Sequence, residues 1–117
     1  MANPGNTGAA AEQLAAAFLQ RQGLKLVETN YRCRFGEIDL VCKDQNTLVF
    51  VEVRLRGNDA FGGAASSITA GKQHKLVLAA RHYLQRQRAV PACRFDVVLL
   101  RGLQDNEIEW IRNAFGE

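Results

Sequence analysis

Apolar residues recur at three- and four-residue intervals from Thr7 to about Gln22, with Ala11, Leu14, Ala15, Phe18 and Leu19 on one stripe and Gly23 at its end. That period predicts a first helix. From Leu24 to Cys33 the pattern is that of a strand, interrupted at Asn30. Gly36 opens a second strand, in which Ile38, Leu40 and Cys42 alternate with Glu37, Asp39 and Val41. The cluster Asp44-Gln45-Asn46 makes a turn, and Thr47 to Arg56 forms a third strand antiparallel to the second. Gly57 to Gly71, rich in glycine and small residues, reads as a connection. A second helix follows from Thr69 or Lys72 to about Gln87, striped by Leu76, Ala80, Tyr83 and Leu84 and ended before Pro91. CRFDVVLLRG then reads as a fourth, buried strand and EIEWIRNAF as a fifth. The order α-β-β-β-α-β-β predicts an α/β fold, a mixed sheet with flanking helices, in which the second helix crosses over to the fourth strand. The 117 residues fit one domain, 1–117, with residues 1–6 as a loose tail.

Two apolar strands that keep acids in their middle raise a question of cost, because a carboxylate is rarely buried without a partner. Alternation puts Glu37 and Asp39 on one face of the second strand. It puts Glu52, Arg54 and Arg56 on one face of the third. With the apolar residues turned to the core, Asp39 and Glu52 share a water-accessible side of the hairpin, roughly 5–8 Å apart, with Glu37 a neighbour. Two carboxylates so placed suit a hard cation such as Mg²⁺, which is commonly held by one or two carboxylates plus substrate phosphates. Such a metal serves phosphodiester hydrolysis, and Arg54 stands where a cation steadies the developing charge. Spacing alone equally allows a solvated face with cross-strand ion pairs. Two helical positions add weight: Glu12 shares the inner stripe of Ala15, Ala16 and Leu19, and Lys72 heads the stripe of Leu76 and Ala79.

Composition narrows the setting. With 47% hydrophobic and 23% charged residues, the chain is an ordinary globular one. Its net charge of +3 is unevenly spread, since no acid falls between Asp59 and Asp96 while Lys72, Lys75, Arg81, Arg86, Arg88 and Arg94 do. That interval predicts a positive surface for phosphates. Cys33, Cys42 and Cys93 form no C-x-x-C pair, which argues against zinc or a disulfide framework and for a reducing, cytoplasmic setting. Neither a secretory leader nor a membrane-spanning run is read in the chain. His74 and His82 lack acids at metal spacing and read as surface or groove residues, Phe61 as a base contact or satellite core, and Trp110 as core or dimer contact.

The spacing Asp39…Glu52-Val53-Arg54, with Glu12 on a preceding helix and a basic helix after it, resembles the PD-(D/E)XK nuclease superfamily. More narrowly, GEIDL, LVFVEVR, the Lys72 helix with AARHYL, and RFDVV are similar to the YraN family of predicted endonucleases, themselves similar to archaeal Holliday-junction resolvases. The likeness runs from about Gly8 to Val98. It implies a restriction-endonuclease-like fold and a Mg²⁺- or Mn²⁺-dependent endonuclease acting on DNA, branched or structured DNA included, as a homodimer. It also implies that Asp39, Glu52 and the Val53 carbonyl ligate the metal, that Glu12 completes the site, and that Lys72 contacts phosphate or the site; Lys75 and Arg56 stand beside it as candidate DNA contacts. The sequence departs from the pattern where lysine is usual and Arg54 stands. A guanidinium stays protonated, so Arg54 holds phosphate but abstracts no proton. The alternative is a nucleic-acid-binding protein that cleaves weakly or not at all.

Overall fold

Seven elements follow one another in a computed structural model that describes residues 6–55, 68–101 and 108–116, the side chains of 6–8 excepted. They are α1 (Asn6–Arg21), β1 (Lys25–Cys33), β2 (Gly36–Asp44), β3 (Thr47–Leu55), α2 (Ala70–Leu84), β4 (Cys93–Leu100) and β5 (Ile108–Phe115). The order is the one the hydrophobic pattern predicts. Of the tail expected at 1–6, Asn6 instead opens α1; residues 1–5, Arg56, Phe61 and most of the glycine-rich connection lie outside the described residues.

α1 stops in a Schellman turn. Gly23 takes φ +101, its N–H bonds the Gln20 carbonyl at 3.0 Å, and the Leu24 N–H reaches back to Leu19 at 3.1 Å. α2 begins at a Thr69 cap whose hydroxyl accepts from the Lys72 N–H at 3.1 Å. It ends three residues short of the expected Gln87, because Gln85, Arg86 and Gln87 bond carbonyls three residues back and tighten the chain into a turn.

The strands form one sheet in the order β1-β2-β3-β4-β5. Among the described residues only β3 and β4 pair in parallel, with α2 between them in the chain. Each helix covers a different face. Ala11, Ala15, Ala16 and Leu19 of α1 pack on Leu40, Cys42, Val49, Val51, Val98 and Leu100. Leu76, Val77, Ala79, Ala80 and Tyr83 of α2 pack on Ile38, Val41, Leu48, Phe50 and Phe95. Phe50 is the hub of the second layer, edge-on to Tyr83 at 5.7 Å and 5.6 Å from Phe95. The central strands are therefore buried on both sides, which is why TLVFV and VVLL read as continuous apolar runs. This corrects the expectation of a hairpin with one water-accessible face. No helix among the described residues is long and apolar enough to cross a membrane.

Candidate metal and nuclease site

The β2–β3 ladder runs from Asp44↔Thr47 to Leu40↔Val51, and the next residues in register are Asp39 and Glu52. There the ladder opens. The Val53 N–H, in place of a strand carbonyl, donates to Asp39 Oδ2 at 2.8 Å, while β3 stays paired with β4 as far as Leu55↔Leu100. On the other side of β2, Asn30 falls opposite Asp39, between Thr29↔Leu40 and Tyr31↔Ile38, and takes the left-handed φ of 52°. Asparagine tolerates that conformation better than most residues. Strict alternation fails at this point, since Leu40 packs in the α1 layer but Ile38 in the α2 layer. The kink leaves Asp39 where groups from both helices reach it.

Carboxylate oxygens of Glu12, Glu37 and Asp39 lie within 4.8 Å of one another. Asn30 bridges two of them, its Nδ2 donating to Glu12 Oε1 at 2.8 Å and Glu37 Oε2 at 2.9 Å. Arg32 stands 3.6 Å from Glu37. The Glu52 side chain is only 4% exposed and carries two cations, Lys72 Nζ at 3.4 Å and an Arg54 amino group at 3.7 Å, both from Oε2. Burial pushes the Asp39 carboxyl up to about 8, with Glu52 and then Glu12 adding to the rise and the Val53 N–H opposing it. Without a cation the fork therefore favours the protonated form of Asp39. A cavity of about 270 Å³ lies above it, lined by Gly36, Glu37, Asp39, Lys72, Lys75 and Leu76.

Glu12, Asp39, Glu52, Arg54 and Lys72, chosen from sequence, thus meet at one fork, with Lys75 on the cavity wall. Val53 contributes its N–H to Asp39. Glu37, expected as a bystander, belongs to the acidic cluster, and Glu52, expected in water, is covered by Lys72. Asn30 was legible only as a flaw in a strand, although an asparagine inside a strand pattern is itself a signal of left-handed backbone.

The basic interval between Asp59 and Asp96 is less available than its charges suggest. Arg94 is held by Asp44 at 3.1 Å and Asp96 at 3.0 Å, and Arg86 by Glu28 at 3.3 Å. Asp96, fully buried, is the polar centre of the β4–β5 end of the α1 layer. It accepts from Arg94 Nε, from Trp110 Nε1 at 2.9 Å and from the Asn113 N–H at 2.9 Å, where β5 bulges. Trp110 is thereby tied into the fold, edge-on to Phe18 at 6.1 Å. Cys42 is a buried thiol pushed up to about 12 by burial and by Asp96, so it acts as an apolar residue; Cys93, by contrast, is exposed.

Residues 11–100 match the uncharacterised protein family UPF0102, a span that includes every residue of the fork. A UPF0102 protein of Nitrosomonas europaea is 62% identical over 117 residues, which is 100% of this chain and 99% of that protein. One of Nitrosospira multiformis is 62% identical over 108 residues, covering 92% of this chain and 91% of its own. One of Janthinobacterium sp. is 51% identical over 107 residues, covering 92% and 85%.

Proposed function

We propose that this chain, which belongs to the uncharacterised protein family UPF0102, is a divalent-metal-dependent endonuclease that hydrolyses phosphodiester bonds in DNA, branched DNA included. The observation that carries the reading is the convergence, at one fork in the sheet, of carboxylates from α1, β2 and β3 with cations from β3 and α2. The likeness of GEIDL and FVEVR to PD-(D/E)XK nucleases supports it.

The donor set fits a hard cation, Mg²⁺ or Mn²⁺. Three carboxylates offer oxygens within 4.8 Å of one another, and Asp39 holds a proton that a cation would displace. Asp39 and Glu52 would hold the ion, with the Val53 carbonyl that the nuclease resemblance adds and Glu12 and Glu37 beside it. When bound, such a cation polarises the scissile phosphate and makes a water acidic enough to attack it. Arg54, always protonated, grips phosphate oxygens and opposes the charge that builds on them. Lys72 restores to the site the residue type that Arg54 replaces: unlike a guanidinium, an ammonium can give up and regain a proton. No disulfide joins the cysteines among the described residues, which suits a reducing cytoplasmic setting.

The second reading, DNA binding with little cleavage, is favoured by Arg54 alone. Cleavage of a labelled four-way junction with Mg²⁺ separates the two. The nuclease reading expects product from the natural protein and none from Asp39→Ala or Glu52→Ala; equal product from all three removes the site. Under the second reading the natural protein binds without cutting, and Arg54→Lys gains cleavage.

A further inference from the structure

Beside the cavity, the surface carries cations that the chemistry at Asp39 does not use. Lys75 lines the cavity wall and is exposed. The β1–β2 turn sits directly against it, so that a Cβ on Gly36 would lie 3.9 Å from Lys75 Cβ. That turn presents Arg34, also exposed, with its guanidinium 4.8 Å from the centre of the Phe35 ring. Phe35 in turn packs edge-on against His82 at 6.1 Å, and the Tyr31 hydroxyl holds the His82 ring through Nδ1. Arg34 therefore rests on an aromatic seat anchored in the α2 layer. None of the ion pairs among the described residues involves Arg34 or Lys75, whereas Arg86 and Arg94 are engaged with Glu28 and Asp96.

We propose that Arg34 and Lys75 form a phosphate track, with Phe35 as the residue that positions Arg34, and that this track carries the DNA strand away from the cleavage site over the surface where the β1–β2 turn meets α2. The proposal rests on the nuclease reading for where the strand is cut and on the track's own charge for where it lies. A fork holding Glu12, Glu37, Asp39 and Glu52 repels a polyanion unless cations flank it; Lys75 stands on the cavity wall beside Lys72, and Arg34 on the turn that ends at Gly36 of that wall. Stacking on Phe35 pre-orders a guanidinium whose planar fork suits two phosphate oxygens.

The test is fluorescence anisotropy of a fluorescein-labelled four-way junction, and of the duplex of one arm, titrated with protein in chelator across a range of salt. Arg34→Gln and Lys75→Gln each reduce the slope of log K against log salt by about 0.9, which is roughly eightfold in affinity at about 0.1 M salt if the contact vanishes near 1 M. Phe35→Leu keeps every charge, so it weakens binding while leaving the slope unchanged. Arg112→Gln, the same charge change on β5, leaves affinity and slope as they were. If Arg34→Gln and Lys75→Gln bind like the natural protein, or Arg112→Gln weakens binding as much as they do, the track is wrong whether or not the protein cuts DNA. If they weaken binding as stated but Mg²⁺ brings no cleavage, the track stands and the nuclease reading fails. A natural protein that binds neither DNA at low salt overturns both.

Discussion

Replacing Asp39 by asparagine in metal-free protein changes how stability depends on pH, and the sign is fixed by the fork. The folded carboxyl titrates at about 8 because it is buried and faces Glu52 and Glu12. In the unfolded chain it titrates near 3.9. Between these values the folded state holds a proton that the unfolded state has released, so the contribution of Asp39 is complete at low pH and is lost as pH rises through the folded value. One such proton gives a slope of at most about 1.4 kcal/mol per pH unit, hence a loss of roughly 2.5 kcal/mol between about pH 5 and pH 7. Asparagine cannot ionise, yet it keeps an oxygen for the Val53 N–H. Urea unfolding of both proteins in chelator at several pH values gives the difference directly, with titrations shared by the two cancelling. The natural protein should lose stability relative to Asp39→Asn as pH rises, and Mg²⁺ should remove the slope by displacing the proton. A difference that is flat, or that rises with pH, refutes the assignment of a crowded, proton-holding carboxyl at this position.

Lys72→Gln removes an ammonium beside Glu52, and DNA cleavage should fall by about 10²–10³-fold while Mn²⁺ binding without DNA is retained; unchanged single-turnover rates would remove Lys72 from the chemistry. Asp96→Ala leaves Trp110 Nε1 and the Asn113 N–H without their acceptor and Arg94 with Asp44 alone, so urea unfolding should show a loss of about 2–5 kcal/mol; a loss under about 1 kcal/mol contradicts its place as the polar centre. Asn30→Gly keeps the left-handed backbone but deletes the bridge between Glu12 and Glu37, whereas Asn30→Val also strains the chain and should cost about 1–2 kcal/mol more in the same assay; equal stability of the two argues against the kink.

The order of elements was legible because each apolar run keeps one period for two turns or more, or for a strand's length. Lys72 and Glu12 were legible for the same reason: helical stripes that end in a charge point that charge at the sheet. The burial of Glu52 was not, because alternation assumes one wet face and cannot show that β3 lies between two strands and two helix layers. The membership of Glu37 in the acidic cluster depends on the kink at Asn30 and Asp39, where period-two logic fails. Asp96 was hidden for a longer-range reason. Its partners Trp110 and Asn113 lie 14 and 17 residues away, on a strand whose register shifts at a bulge.

The central claim is that Asp39 holds a divalent cation on which DNA cleavage depends. Anomalous diffraction from crystals soaked in Mn²⁺ tests it most directly. The account predicts a manganese peak within coordination distance of Asp39 and Glu52, lost in Asp39→Asn. Density empty at that position under saturating Mn²⁺, or a peak that survives the substitution, would contradict it.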